Sequence, residues 1–524
     1  MGKINLLCIL VAIMAITFTS CEHNESDFTV QSELLSSKLS AEEIDVLFRM
    51  RNGKSNKISL EEATQIAHEV IGFLEDETII KVRASRKIGK ITTLRNSQTK
   101  RTATESLGET VEMPDTLAYI FNFADSAGYT IIAADTRVET PILCYTDRGT
   151  LCDSIDNAGL AVFLTGAEFY IERSIVEAQQ MRDSLIADIL AKIDQTGIKD
   201  TIYLDESNVP IRTTPMENIT IEPQIAYSYG PWQVDTRVGP LLPVEWGQHA
   251  PYNKLIKYYN CSSGTSPTGC VATATAQIMA YWGHPNYIGN YTFNWNVLRR
   301  YTAIPNRYYG AGILSVNAYG AEADFFRQQV ASIMERIGYY IDMDYYCDRS
   351  SADDGDAVDF LHTLGFSGGN KQNYNGNTVI SSLNNTRPIM IGGYSTKKEF
   401  LGISFLYTLS GGHTWVIDGY LRMKRVVTIT VRTEQIVPEL SLPHGGTGTS
   451  GRQMLIYTTT TTTTTEYSPY YLHNNWGWDG DRNGYYVAGS FNTNNGADYN
   501  SNTRSSEPHN YQFNIEMFPN IYYP

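Results

Sequence analysis

Residues Gly269 to Trp282 read GCVATATAQIMAYW. Val271, Ala274, Ile278 and Trp282 recur at helical spacing, and the preceding CSSGTSPTG is a Gly/Ser/Pro loop that cannot continue a helix backward. The pattern predicts a helix that opens on Cys270. At a helix N-terminus the unpaired N–H groups and the positive end of the dipole favour a thiolate, the form that attacks carbonyls. A small cysteine packed as a hydrophobe is the competing reading of the same residue.

Two later blocks supply what a working thiol needs. SGGHTWVIDGY, Ser410 to Tyr420, is a glycine pair leading into a strand with Trp415 and Ile417 in alternation and His413 at its start. A nucleophilic thiol requires a general base that takes its proton and returns one to the leaving amine, and an imidazole titrates in the right range. HNNWGWDGDRNGYYVAG, His473 to Gly489, offers Asn475 to hold one imidazole tautomer and Trp476 or Trp478 to shield that bond from water. The same block also reads as a polar turn between two strands. Asp479, Asp481, Asn483 and Gly484 match the start of a calcium loop, but Ser490 stands where the bidentate Glu belongs, so no metal is expected.

The order Cys270, His413, Asn475 is that of papain-like cysteine peptidases. GCVATATAQIMAYW, GGHTWVIDGY and NWGWDGDRNGYY resemble the streptopain family of papain-fold cysteine peptidases. ASIMERIGYYIDMDY (Ala331 to Tyr345) and RPIMIGGYS (Arg387 to Ser395) resemble that family's intervening segments, so the likeness runs from roughly Gly239 to the C-terminus. It implies a role for Gln248, in Trp246-Gly247-Gln248 followed by Pro251-Tyr252-Asn253: its amide would join the Cys270 N–H as an oxyanion donor. It implies peptide-bond hydrolysis through a Cys270 thioacyl-enzyme, with no cofactor and with a hydrophobic substrate side chain two residues before the reactive centre. It also implies that GYTIIAADTRVETPILCYTDRGT, Gly128 to Thr150, belongs to an inhibitory propeptide. A catalytically silent surface protein that binds or inhibits, and a Cys–His amidase acting on cell-wall peptides, are the alternatives.

A chain of 524 residues exceeds what one hydrophobic core supports, and 42% hydrophobic with 19% charged residues excludes overall disorder. The net charge of −15, without a long basic run, argues against nucleic acid as a partner. The expected fold class is α+β: a papain-like two-subdomain peptidase over 239–524, preceded by a small α+β propeptide domain over 21–195. Residues 196–238, with Pro210, Pro215, Pro223 and Pro231, read as an irregular linker that carries the processing site. Within the first domain, Ser59 and Glu62 form a capping box ahead of a helix with Leu60, Ala63, Ile66, Ala67, Val70, Ile71 and Leu74 on one face. The basic, Ser/Thr-rich stretch around 80–112 reads as a solvated loop, AYIFNFADSAGYTIIAADTR as a hairpin, and Ala161 to Ile193 as a long helix. A further helix is expected near Ala321 to Gly338 and strands after Pro388. The threonines Thr458 to Thr465 either extend a hairpin or form a flexible tip.

Lys3 followed by the apolar stretch Ile4 to Phe18 reads as a signal peptide over 1–20. Thr19, Ser20 and Cys21 then resemble a bacterial lipoprotein signal in which Cys21 is lipidated, so the expected location is exported and lipid-anchored to a bacterial membrane; a plain signal peptide that happens to contain a cysteine is the competing reading. The expected partners are protein or peptide substrates, the chain's own propeptide and that membrane. Setting aside Cys8 and Cys21 leaves Cys144, Cys152, Cys261, Cys270 and Cys347, an odd set in which at least one thiol stays unpaired within the chain. Pairing among Cys144, Cys152, Cys261 and Cys347 is open at this level.

Overall fold

The computed structural model describes residues 56–76, 86–95, 102–104, 110–195, 203–204, 210–211, 224–257, 261–262, 264–302, 313–395, 399–400, 403–405, 412–438, 453–492 and 513–524. The expected signal peptide and Cys21 lie outside these residues. The chain divides into a larger unit of 56–178, 232–423 and 468–524, and a smaller one whose described residues fall in 179–231 and 424–467.

In the larger unit α1 (Leu60–Asp76) starts on the expected capping box. Glu62 N–H donates to Ser59 Oγ at 3.2 Å and Ser59 N–H donates to Glu62 Oε2 at 2.7 Å. The Ser59 N–H and hydroxyl, both donating to Glu62 Oε2, hold that carboxyl below its usual range. Ala63, Ala67, Val70, Ile71 and Leu74 are buried, as the periodicity requires. Strands β1 (Ile88–Arg95), β2 (Thr116–Phe123), β3 (Tyr129–Ala133) and β4 (Ile142–Thr146) pair antiparallel in sequence order, and β2 with β3 is the expected hairpin. The reading of 80–112 as a loop is corrected by β1. An edge strand with one face in water needs few apolar residues, and here Leu94 is its one fully buried side chain. Helix α2 (Ala158–Gln195) begins a turn earlier than expected because Asn157 Oδ1 accepts the Leu160 N–H at 2.9 Å.

The chain continues through β5 (Gln224–Tyr229), β6 (Gln233–Val238), α3 (Cys270–Trp282), α4 (Ala321–Tyr340) and α5 (Asp354–Thr363). It then runs through β7 (Gln372–Asn373), α6 (Gly376–Asn384), β8 (Ile389–Ser395), β9 (His413–Pro438), β10 (Gln453–Tyr467), β11 (Tyr471–Asn475), β12 (Gly484–Val487) and β13 (Phe513–Phe518). Strands β5 and β6 correct the reading of 196–238 as irregular throughout: both pair with β9, whose backbone groups order a segment that lacks apolar periodicity of its own.

The larger unit is organised by a sheet of order β1-β2-β3-β4-β12-β11-β9-β8-β13-β7. The N-terminal segment joins it where β4 pairs with β12, Thr146 opposite Gly484 and Cys144 opposite Tyr486. Phe163 of α2 meets Tyr486 edge-on at 4.6 Å, so the two segments share an apolar core as well as a sheet. The second core is helical. Every residue of α3 from Val271 to Ala280 is buried, packed among Phe326, Val330 and Ile337 of α4 and Leu361 of α5. A helix buried on all sides belongs at the centre of its layer. Gly283, left-handed at φ +66°, closes α3 by donating its N–H to Met279 O at 2.8 Å. Cys261 and Cys347 are disulfide-bonded with Cα atoms 5.1 Å apart, while Cys144, Cys152 and Cys270 are free thiols.

The smaller unit is built on the far half of β9, with β5 on one side (Tyr227 opposite Ile429) and β10 on the other (Val427 opposite Thr464). Thr458 to Thr465 all lie in β10, opposite Thr433 to Val426. Of the two readings of the threonine tract the strand is the one adopted, in keeping with its β-branched side chains.

Candidate active site

Cys270 is the first residue of α3, and Gly269 before it sits at φ +86°. A Cβ there would stand 2.7 Å from Met343 Cε, so glycine satisfies both the backbone and the space. Thr414, the second residue of β9, lies beside the thiol, and its N–H and hydroxyl both act to lower it. Burial pushes the thiol up to about 11, and the nearby Asp354 carboxylate adds to that rise against the lowering by the Thr414 and Val271 donors. The expected lowering by the helix terminus is therefore corrected: desolvation outweighs it in this state.

His413 opens β9 and is buried. Its Nε2 donates to the Trp476 carbonyl at 2.9 Å, because a carbonyl only accepts, which fixes the tautomer with Nδ1 unprotonated. Burial pushes this imidazole down to about 4. Trp415 stacks near-parallel on it at 6.0 Å and Trp478 tilts over it at 6.4 Å. From the N-terminal segment Gly159, in the first turn of α2, packs on the same group. A Cβ on Gly159 would lie 2.8 Å from His413 Cδ2 and 2.3 Å from Trp476 Cε3.

Asn475 ends β11 and is fully buried, but its amide serves other partners than the one expected. Nδ2 donates to Val244 O at 3.0 Å and Oδ1 accepts from Gly477 N–H at 3.2 Å. The imidazole bonds to the main chain of the next residue instead, so Asn475 shapes the turn that presents the Trp476 carbonyl. Trp476 is fully buried, with Nε1 donating to Arg482 O at 3.0 Å and its ring 5.2 Å from Trp415. Gln248 is buried beside α3: Gln277 Oε1 on that helix accepts the Trp246 N–H at 3.1 Å, and Thr268 N–H donates to Gln248 O at 2.9 Å. Between them Gly247 leaves room for Asp479, whose Oδ2 would be 2.4 Å from an added Cβ. Burial pushes Asp479 up to about 6, opposed by a hydrogen bond from Tyr252.

The N-terminal segment also grips the 476–483 turn by charge. Arg482 donates through Nε to Thr150 O at 3.0 Å and pairs with Asp156 at 3.3 Å, and Arg148 lies 3.5 Å from buried Glu245. Sequence reasoning missed Gly159, Thr414 and Asp354. Only Thr414 carried a signal, as the polar neighbour of the one histidine in a Gly-Gly-His motif.

Residues 246–486 match the peptidase C10 family and residues 55–171 the Spi protease inhibitor family. Streptopain of Streptococcus pyogenes is 25% identical over 327 residues, covering 59% of this chain and 69% of its own. Prointerpain A of Prevotella intermedia superposes with a TM-score of 0.42 at 19% identity, over 83% of this chain and 99% of that structure. Active interpain A of the same organism gives 0.33 at 22% identity, over 55% of this chain and 96% of its own. The segment 246–486 is thus similar to the streptopain (peptidase C10) family, and the chain is a cysteine peptidase made in zymogen form with an Spi-type inhibitor segment ahead of its peptidase segment.

Proposed function

We propose that the peptidase is an endopeptidase whose nucleophile is Cys270 and whose general base is His413. The observation that carries the assignment is Thr414, which bears on the acidity of the Cys270 thiol and directly follows His413, so one strand start serves both groups. The imidazole takes the thiol proton as Sγ adds to the scissile carbonyl carbon. The Gln248 amide and the Cys270 N–H stabilise the resulting oxyanion, and the proton passes to the leaving amine. Water then hydrolyses the thioester and regenerates the thiol. Asn475 orients the imidazole, acting here through the turn it holds, and Trp476 and Trp478 keep water from it.

In the precursor His413 is engaged by Trp476 and pressed by Gly159, and removal of the N-terminal segment frees it to meet Cys270. We place the cut N-terminal to Gln224, since β5 and β6 are tied to β9. The protein is exported, with 1–20 as signal and Cys21 lipidated, and anchored to a bacterial membrane. Among the described residues no helix is long and apolar enough to cross one.

Cys270→Ala tests the assignment. The purified variant should keep the fold, lose casein hydrolysis and lose covalent capture by a thiol-directed peptidyl reagent; retained hydrolysis would end this reading. Cys21→Ser should move the protein from the membrane to the soluble fraction, and a variant still membrane-bound after a carbonate wash would refute the anchor.

A further inference from the structure

Thr414, Gly392 and Glu516 lie side by side across β9, β8 and β13, Gly392 being register partner to both others. The middle residue has no side chain, and the space is taken by Asp354, the first residue of α5. A Cβ on Gly392 would lie 2.1 Å from Asp354 Oδ2. The other oxygen, Oδ1, accepts the Thr414 hydroxyl at 2.5 Å. The charged groups facing this carboxyl are Asp353 on its own turn, Glu516 on β13 and Lys371, and Lys371 is itself paired to Glu516 at 2.6 Å. No cation is thus dedicated to Asp354 among the groups that face it. Burial pushes Asp354 up to about 6.

A hydroxyl carries one proton and two lone pairs. The Thr414 hydroxyl donates to the Asp354 carboxylate, and it is also one of the groups that bear on the Cys270 thiol, so its single proton can serve one of the two at a time. We propose that Asp354 is a positioning residue that sets the acidity of Cys270 through the Thr414 hydroxyl. When Asp354 is ionised it holds the Thr414 proton, and the hydroxyl offers Sγ a lone pair, which favours the protonated thiol. When Asp354 is neutral, its own O–H donates to Thr414 Oγ1, and the Thr414 proton turns to Sγ, which favours the thiolate. No covalent bond other than O–H is made or broken, and the proton taken up by the carboxylate comes from solvent. Nucleophile acidity thereby depends on a second carboxyl in the window around its titration.

The inference rests on the reading of Cys270 as the reactive thiol. The test is the rate of alkylation of Cys270 by iodoacetamide, read peptide by peptide by mass spectrometry, on full-length precursor and processed enzyme from about pH 4 to about pH 12. The wild-type profile should show two inflections, the lower near that of Asp354. Asp354→Asn should lose the lower one and react about tenfold faster near neutrality. Thr414→Val should also lose it, and Thr414→Ser should restore it, which separates the relay from a general effect on folding. A wild-type profile in Asp354→Asn, or a lower inflection that survives in Thr414→Val, would overturn the relay. Failure of Cys270 to alkylate at any pH while exposed Cys152 reacts would instead overturn the assignment of the nucleophile.

Discussion

Gly159 of the N-terminal segment is in contact with His413 of the peptidase segment, and the contact has no room for a methyl group. The added carbon would come to 2.8 Å from the imidazole and 2.3 Å from Trp476. Glycine costs a helix about 1 kcal/mol relative to alanine. Gly159→Ala should therefore favour α2 locally while unseating it from the site. The expected outcome is measurable peptidase activity in a precursor whose linker has been made uncleavable, where the parent precursor is silent. A silent Gly159→Ala precursor would mean that the contact is incidental to inhibition.

The precursor holds its thiol and imidazole far from an ion pair, with Cys270 pushed up to about 11 and His413 down to about 4 by burial. At neutral pH the thiolate fraction is then on the order of 10⁻⁴. Processing should raise the rate of Cys270 alkylation at neutral pH by at least about tenfold. Equal rates before and after cleavage, followed by quenched-flow labelling, would place the block elsewhere than in the dyad.

Asn475→Ala leaves the Val244 carbonyl and the Gly477 N–H without their partners. It should lower unfolding stability by about 1–3 kcal/mol and also reduce kcat, though by less than His413→Ala does. Chemical denaturation beside steady-state kinetics reads both effects. A loss of kcat without any loss of stability would return Asn475 to the direct contact with the imidazole that the sequence suggested.

Gly247→Ala would drive a Cβ to 2.4 Å from Asp479 Oδ2, one residue from Gln248. Displacing the Gln248 amide should cost turnover in the direction of Gln248→Ala, for which about 10²- to 10³-fold is expected. The double variant Gly247→Ala with Asp479→Ala should recover most of the loss, because the obstructing carboxylate is gone. No recovery would show that Gly247 is required for its backbone alone.

Asp479 is pushed up to about 6 by burial, above its ordinary 3.8. Between those values the folded state binds more protons than the unfolded one, so this group makes stability fall as pH rises through the window, and the effect levels off above it. Thermal melting across that window should show a shallower slope in Asp479→Asn. An unchanged slope would mean the carboxyl is ionised in the folded protein at mildly acid pH.

Much of the site was legible because its parts announce themselves locally. A Gly/Ser/Pro loop meeting an apolar periodic run marks the start of α3, and a glycine pair meeting alternating hydrophobes marks the start of β9. Partners across the fold were not legible. Asp354 reaches Thr414 only because β8 places Gly392 between them, a relation that register creates and spacing does not show. The pull on Asn475 from Val244 was hidden for the same reason. The thiol's acidity was misjudged because a helix terminus is visible in sequence and desolvation is not. In the N-terminal segment the capping box located α1, while β1 escaped because an edge strand can be as polar as a loop.

The bridge between Cys261 and Cys347 closes a loop of 86 residues that contains the whole of α3. In the chain-entropy account a crosslink of that span contributes about 4–5 kcal/mol. The protein thus asks opposite things of its sulfur atoms: one pair oxidised for the scaffold, and one atom between them reduced for chemistry. Thiol–disulfide exchange proceeds through the thiolate, and in the precursor Cys270 is half-buried and protonated, so it stays out of the exchange while the bridge closes. The fold that keeps this thiol protonated also preserves it from being consumed as a crosslink. Reductant added to wake the processed enzyme acts on the crosslink too, and its dose has an upper bound set by the scaffold.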